Sequence, residues 1–269
     1  MKILLNNNDL IRALYGTMNL GFVPTMGSLH QGHISLIKRS LKVCNKTIVS
    51  IFINPTQFNN KKDYKNYPRN TNKDLFILKK LKVDFVYLPQ RKDIYNYFKR
   101  KIILRKKDKI LCAKFRKGHF EGVIDVMQRL TKKINPNQIF LGEKDFQQLY
   151  LIKKYVKKNN NLSIIGCKTI RDRNKLALSS RNTLLSKTKL KYARSIAKNL
   201  ILFKKKIINK KKLKSLLENK KKELIKLYNI KIDYLELRNK TNLTISNKAK
   251  NSKIFIAYYL NNVRLIDNY

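Results

Sequence analysis

Short apolar runs alternate with stretches of helical spacing along the first 168 residues, and this alternation constrains the fold more than any other feature of the sequence. Asp9–Tyr15 reads as a short helix and Leu20–Pro24 as a buried strand that ends in a turn. Gly27–Gly32 reads as loop, after which Ile34, Ile37 and Leu41 return at helical spacing within Ile34–Val43. Thr47–Ile53 is a β-branched run of the kind that parallel strands bury on both faces. Asp74–Leu81 is helical through Leu75, Leu78 and Leu81, and Phe85–Leu88 is the next strand. The pattern then repeats as helix Val123–Ile134, strand Gln138–Leu141, helix Phe146–Lys157 and strand Ser163–Cys167.

Strands and helices that alternate in this way build βαβ units, so the expected N-terminal domain is α/β, a Rossmann-like doubly wound parallel sheet spanning residues 1–168. The texture changes after Arg171. Thr188–Lys206 and Lys210–Tyr228 are Lys-rich amphipathic helices, followed by strand-like Ile230–Leu237, Ile254–Tyr259 and Val263–Ile266. Residues 169–269 are therefore expected to form a smaller α+β C-terminal domain.

Composition narrows the class. No apolar run approaches the roughly 18 residues of a membrane span, and Ile3–Leu5 is too short for a signal-peptide core. Cys44, Cys112 and Cys167 form neither a C-x-x-C pair nor an even disulfide set. A cytoplasmic protein with no membrane partner is the expectation. The formal charge of +46 points first to nucleic acid, but 48 of the 62 basic residues are Lys and only 14 are Arg. Lys, Asn and Ile, all with A/T-rich codons, make up 108 of 269 residues. The lysines are spread along helix faces without interleaved aromatics, so solvated Lys faces, and no specific nucleic-acid partner, are expected.

Two of the three histidines fall in Thr25-Met26-Gly27-Ser28-Leu29-His30-Gln31-Gly32-His33, between a predicted strand and a predicted helix. In doubly wound sheets ligands bind beyond the carboxyl ends of strands, and a helix N-terminus favours phosphate. The His-x-Gly-His spacing resembles the adenylylating nucleotidyltransferase superfamily. Four further pieces carry a closer likeness: Phe22–Gly27, Ser50–Phe58 with Asn54-Pro55-Thr56-Gln57, Gly142-Glu143-Lys144-Asp145-Phe146-Gln147-Gln148, and Leu176–Asn182 with Ser179-Ser180-Arg181. With Arg264-Leu265-Ile266-Asp267-Asn268 they resemble, in order and spacing, the pantoate–β-alanine ligase family over essentially the whole chain.

The resemblance implies that a pantoate carboxylate attacks the α-phosphorus of ATP, and that β-alanine then attacks the pantoyl adenylate to release AMP. It implies His33 as proton donor, His30 as a phosphate contact and Lys144 as a point charge on the phosphates. ATP binding is implied for Met26, Gly27, Ser28, Leu29, His30, Gln31, Gly32, His33, Gly142, Glu143, Lys144, Asp145, Ile170, Leu178, Ser179, Ser180 and Arg181. Pantoate binding is implied for Gln57 and Gln148, with Gln57 also against β-alanine. Neutral amides suit a carboxylate that must remain nucleophilic. Val123, Val126 and Met127 fit either core packing or contact with the pantoate methyls. His119, in Arg116–Val123, is read as a structural hydrogen-bonding residue.

Mg²⁺ is expected to arrive with the ATP phosphates, with no tightly held protein metal, because Lys73-Asp74 stands where related enzymes carry paired acids. A homodimer is the family expectation. Lys117 and Lys168 each replace a usual Pro. Asn174-Lys175 replaces a usual Asp-Gly, with Asn174 expected to tolerate any left-handed turn. Two alternatives compete: a cofactor adenylyltransferase acting on a phosphorylated acceptor through the same turn, and a non-enzymatic nucleic-acid binder.

Overall fold

The computed structural model describes residues 1–59, 61–95, 102–156 and 162–269. The chain forms two compact units, one of Met1–Glu143 with Gln148–Lys168, the other of Lys144–Gln147 with Thr169–Tyr269.

The first unit begins with β1 (Lys2–Leu4), α1 (Asn7–Leu14), β2 (Leu20–Thr25), α2 (Gln31–Val43) and β3 (Lys46–Ile51). It continues through α3 (Lys61–Lys65), α4 (Thr71–Lys80), β4 (Phe85–Tyr87), α5 (Arg91–Ile94), α6 (Cys112–Phe115) and α7 (His119–Ile134). β5 (Gln138–Gly142), α8 (Phe146–Tyr155) from Gln148 onward and β6 (Ser163–Cys167) complete it. The sheet order is β1-β4-β3-β2-β5-β6, and every pairing is parallel. This is the Rossmann-like arrangement expected from the alternation.

Phe22, Val23, Ile48, Val49, Val86, Ile139 and Phe140 are fully buried, because helices cover the sheet and leave no solvated strand face. Truncating Phe140 to Ala would cost about 3–5 kcal/mol. From β2 the chain passes to β3 on one side and returns later to β5 on the other. The carboxyl end of β2 therefore lies at the topological switch point, where connections diverge and leave a crevice.

In the second unit α9 (Lys187–Lys206) and α10 (Leu213–Tyr228) precede an antiparallel sheet of β7 (Lys231–Asn239), β8 (Ser252–Leu260) and β9 (Val263–Asn268). α9 buries Ala193, Ile196, Ala197 and Leu200, one stripe at positions i, i+3, i+4 and i+7. Ala193, Ile196 and Leu200 pack in one core with Leu217, Leu224, Leu237, Ile254 and Ile256.

Several boundaries differ from the sequence reading. α2 starts at Gln31 rather than Ile34, so Gln31 and Gly32, read as loop, lie in its first turn together with His33. α7 starts at His119, following a left-handed Gly118, and α10 starts at Leu213 because Lys212 is left-handed. β1 is invisible to the sequence reading: three residues carry too little periodicity, and their ladder with β4 is a pairing across more than eighty residues. Lys157, the expected end of α8, lies outside the described residues. No helix among the described residues is long and apolar enough to cross a membrane.

Candidate active site

The turn after β2 is fixed from two sides, by β3 and by α4. Thr25 donates its hydroxyl to the Ser50 carbonyl at 2.8 Å and accepts from the Gly27 amide at 3.2 Å, tying the turn to β3. Asp74, on α4 and 2% exposed, accepts from the Ser28 and Leu29 amides, each at 2.8 Å. Both carboxylate oxygens of the acid considered for metal binding are thus engaged with the backbone of the turn. Among the described residues no cluster of three or more His, Cys, Asp or Glu is placed to hold a metal ion. The position of Asp74 four residues after Asn70, with its own helix cap, was the available signal for this role; the sequence alone did not connect it to Ser28.

His30 is the N-cap of α2. Its Nδ1 accepts from the Gly32 amide at 3.0 Å, and the Nδ1 of His33 accepts from the His30 amide at 3.3 Å. The rings lie 4.1 Å apart between centroids, tilted by 37°. This is a capping box made of imidazoles, the two rings satisfying two otherwise orphaned helix donors. A backbone N–H can only donate, so each Nδ1 must present a lone pair and each ring carries its proton on Nε2. Both histidines are thereby neutral Nε2–H donors. A Cβ at position 32 would lie 2.7 Å from His30 Cε1, so only glycine fits beneath the ring. Gln31 is exposed, whereas Met26, Ser28, His30 and His33 are half-buried and Leu29 is buried.

Gln57 ends a 3₁₀ turn, Pro55–Gln57, capped by Asn54. Its side chain is held at both ends: the oxygen accepts from Asn54 Nδ2 at 3.3 Å, and Nε2 donates to the Met26 sulfur at 2.8 Å. Asn54 is in turn fixed by the Tyr95 hydroxyl at 2.8 Å and the Gly122 carbonyl at 3.2 Å. Burial, opposed by the hydrogen bonds to Thr56 and Asn54, pushes the Tyr95 hydroxyl above the usual tyrosine range and keeps it a donor. The first turn of α7 sits directly on this segment. A Cβ at Gly122 would lie 2.5 Å from the Thr56 carbonyl oxygen.

His119 reads the other side of Gln57. It is 7% exposed, its Nδ1 is 2.7 Å from the Gln57 carbonyl and its Nε2 2.9 Å from Arg116 Nη1. The guanidinium can only donate, so Nε2 accepts and Nδ1–H donates to the carbonyl. Arg116 Nη2 reaches the same carbonyl at 3.4 Å. Asn54, Tyr95 and Arg116 were not singled out from sequence, although Asn before Pro-Thr is a turn signal that marks Asn54. Gln148 is half-buried in the first turn of α8. Val123, Val126 and Met127 are all buried on α7.

Lys144, Asp145, Ile170 and Leu178–Arg181 belong to the second unit, whereas Gly142 and Glu143 belong to the first. Lys144 Nζ lies 3.4 Å from Asp145 Oδ1. The Leu178 amide donates to the Ile170 carbonyl at 3.0 Å. Ser179 caps the 3₁₀ segment Ser180–Leu184, its hydroxyl accepting from the Arg181 amide at 3.3 Å. Asn182 Nδ2 donates to the Ala177 carbonyl at 3.0 Å. In the turn that precedes these residues, Lys175 and not Asn174 takes the left-handed conformation, with φ 72°. Asn174 instead donates its amide to Asp172 Oδ1 at 2.8 Å, which corrects the expectation that Asn174 would supply the left-handed residue.

A family model described as pantoate-beta-alanine ligase matches residues 5–269. The pantothenate synthetase of Flavobacterium psychrophilum is 40% identical over 256 residues, covering 93% of this chain and 90% of that protein. The pantothenate synthetase of Francisella tularensis subsp. mediasiatica is 40% identical over 267 residues, 96% of this chain and 91% of that protein. The crystal structure of pantothenate synthetase from Thermus thermophilus superposes with a TM-score of 0.93 at 29% identity, over all of this chain and 99% of that one. A Francisella tularensis pantoate-beta-alanine ligase, crystallised in complex with beta-gamma ATP and β-alanine, superposes with a TM-score of 0.84 at 38% identity, covering 100% of this chain and 97% of that one. With the whole matched length shared, the chain belongs to the pantoate-β-alanine ligase family.

Proposed function

We propose that this chain joins pantoate to β-alanine at the expense of ATP, through a pantoyl adenylate. The pantoate carboxylate attacks the α-phosphorus, the bond to the β-phosphate oxygen breaks and pyrophosphate leaves. The β-alanine amine then attacks the acyl carbon of the mixed anhydride, loses a proton and expels AMP.

The observation that carries this reading is the tautomeric state imposed on His30 and His33. Two neutral imidazoles with their protons on Nε2 are preorganised donors for phosphate oxygens, and their orientation is set by the helix before ATP arrives. His33 stabilises the charge that grows on the transferring phosphate and His30 holds an adjacent oxygen. Lys144 contributes a point charge, and Ser179, Ser180 and Arg181 supply two hydroxyls and a forked guanidinium for phosphate oxygens. Mg²⁺ enters with ATP as part of the substrate. Gln57, pinned between Asn54 and Met26, offers a neutral amide to pantoate and to the incoming amine, and Gln148 a second amide to pantoate. A full positive charge there would quench the nucleophilic carboxylate.

ATP–pyrophosphate isotope exchange with pantoate as the only added acceptor tests the reaction. Exchange should occur without β-alanine, and adding β-alanine should release AMP and pantothenate together. His33→Ala should slow exchange by about 10²–10³ while ATP binding is largely retained. Folded protein that shows no pantoate-dependent exchange, or that responds only to a phosphorylated acceptor, would overturn the reading.

A further inference from the structure

Asp267 and Asn268, in the Arg264–Asn268 motif on β9, take no direct part in the reaction proposed above, yet both are buried polar residues, 6% and 3% exposed. We propose that they are positioning residues for nucleotide binding, fixing from one strand end both the Lys144 turn and the segment that leads into Ser179–Arg181.

Asn268 works on the Lys144 side. Its Nδ2 donates to the Lys144 carbonyl at 2.9 Å, and its Oδ1 accepts from Lys253 Nζ at 2.8 Å. Next along the chain, Phe146 meets Phe255 of β8 edge-on at 5.8 Å, and Lys253 lies over the Phe146 ring at 5.3 Å. These contacts explain why Lys144–Gln147, the end of the β5–α8 connection and the first two residues of α8, belongs to the second unit rather than the first.

Asp267 works on the other segment. Its carboxylate takes a bidentate pair from Arg171, with Nη1 at 2.7 Å and Nη2 at 2.8 Å. Arg171 also donates to the Asn268 carbonyl at 3.0 Å and to the Lys175 carbonyl at 3.0 Å. The guanidinium lies over the Tyr269 ring, 4.8 Å from its centroid. Arg171 bridges to Ala177 as an isolated antiparallel pair. A strand that is anchored at Arg171 therefore fixes Ala177 and Leu178 two and one residues before Ser179. A forked pair of charge-assisted bonds sets direction as well as distance.

The inference rests on the reading of Lys144 and Ser179–Arg181 as phosphate contacts. Asn268→Asp is nearly isosteric: it keeps the acceptor for Lys253 and places an oxygen against the Lys144 carbonyl where a donor stood. Asn268→Ala removes the side chain without adding charge, and Lys144→Ala reports on the underlying reading. Steady-state kinetics of the full chain with ATP and pantoate varied separately, together with thermal midpoints, distinguish the cases. Both Asn268 variants should lower kcat/KM for ATP by about tenfold, with KM for pantoate within twofold whatever the shift in midpoint. Unchanged ATP kinetics in both Asn268 variants, alongside an impaired Lys144→Ala, would overturn the inference alone. Parallel losses for both substrates with a lowered midpoint would also overturn it, in favour of a purely structural role. An unimpaired Lys144→Ala would remove the reading of Lys144 and the inference with it.

Discussion

Lys175 holds a backbone conformation that its own Cβ opposes. Its φ of 72° closes the turn in which the Lys175 amide donates to Asp172 O at 2.9 Å and the Leu176 amide to Asp172 Oδ1 at 3.0 Å. A left-handed non-glycine residue costs about 1–2 kcal/mol, part of which a glycine would return as extra freedom in the unfolded chain. Lys175→Gly should therefore raise the unfolding free energy by about 1 kcal/mol, read as a higher urea midpoint at unchanged slope. An unchanged or lower midpoint would mean that the Asp172 bonds hold the turn without strain. The sequence made the turn visible through Asn174-Lys175, which stands in place of a usual Asp-Gly. It could not say which neighbour would be left-handed, because the Asp172 side chain accepts from residues 174 and 176 alike and so singles out neither. The same limit applies at Gln57. Its residue type and neighbours were legible, whereas the contacts from His119 and Asn54 to it depend on α7 docking against the Pro55–Gln57 turn.

Elements with several turns of periodic burial were the most legible. α9 shows a clean four-residue stripe, and the parallel strands show their continuous apolar runs, because both signals are summed over many residues. The ends of α2, α7 and α10 were less so, since each is set by one backbone conformation or one side-chain cap. At the far end of α9, Lys204 donates to the Ala249 and Ser252 carbonyls, both at 2.8 Å. Burial first, and then the nearby charges of Lys240 and Lys253, lower its pKa to about 8 from an ordinary 10.5. The folded state thus sheds this proton before the unfolded chain does. The penalty of the buried charge is complete below about pH 8 and is relieved as pH rises toward 10.5. Burial acts in the opposite sense at Cys44 and Cys167, whose thiols it raises above the usual cysteine value, and at the Tyr258 and Tyr269 hydroxyls: there the unfolded chain ionises first and stability falls as pH rises. The Lys204 contribution is therefore read as a difference: between pH 8 and pH 10 the parent's urea midpoint should rise more, or fall less, than that of Lys204→Met, by a modest amount because Lys204 is only half-buried. An equal slope in parent and variant would remove Lys204 from the pH dependence.

The +46 charge is carried mainly by lysines on the solvent sides of helices such as α9 and α10. Any association with DNA or RNA should consequently be weak, indifferent to sequence and steeply lost with salt, through counterion release. A base-sequence preference at physiological salt in a filter-binding titration would contradict this. The A/T-biased composition also reaches the backbone. Asn19, Asn135, Asn229, Asn251 and Asn261 all take positive φ, positions that glycine commonly fills, and Asn135 and Asn229 end α7 and α10 there. The two-part organisation was legible from the change in texture near Arg171. The membership of Lys144–Gln147 was not, because its fastening partners Lys253, Phe255 and Asn268 lie more than a hundred residues along the chain and nothing local announces them.

The imidazole capping box has one more effect. Groups chosen for reactivity are commonly poor choices for stability, and enzymes tend to become more stable when such groups are replaced. In the role proposed for them, His30 and His33 reverse that relation, since each also satisfies a helix donor whose loss costs about 1 kcal/mol. Selection for a folded α2 and selection for the proposed phosphate site would then act in the same direction, so stabilising drift would offer no route away from either histidine.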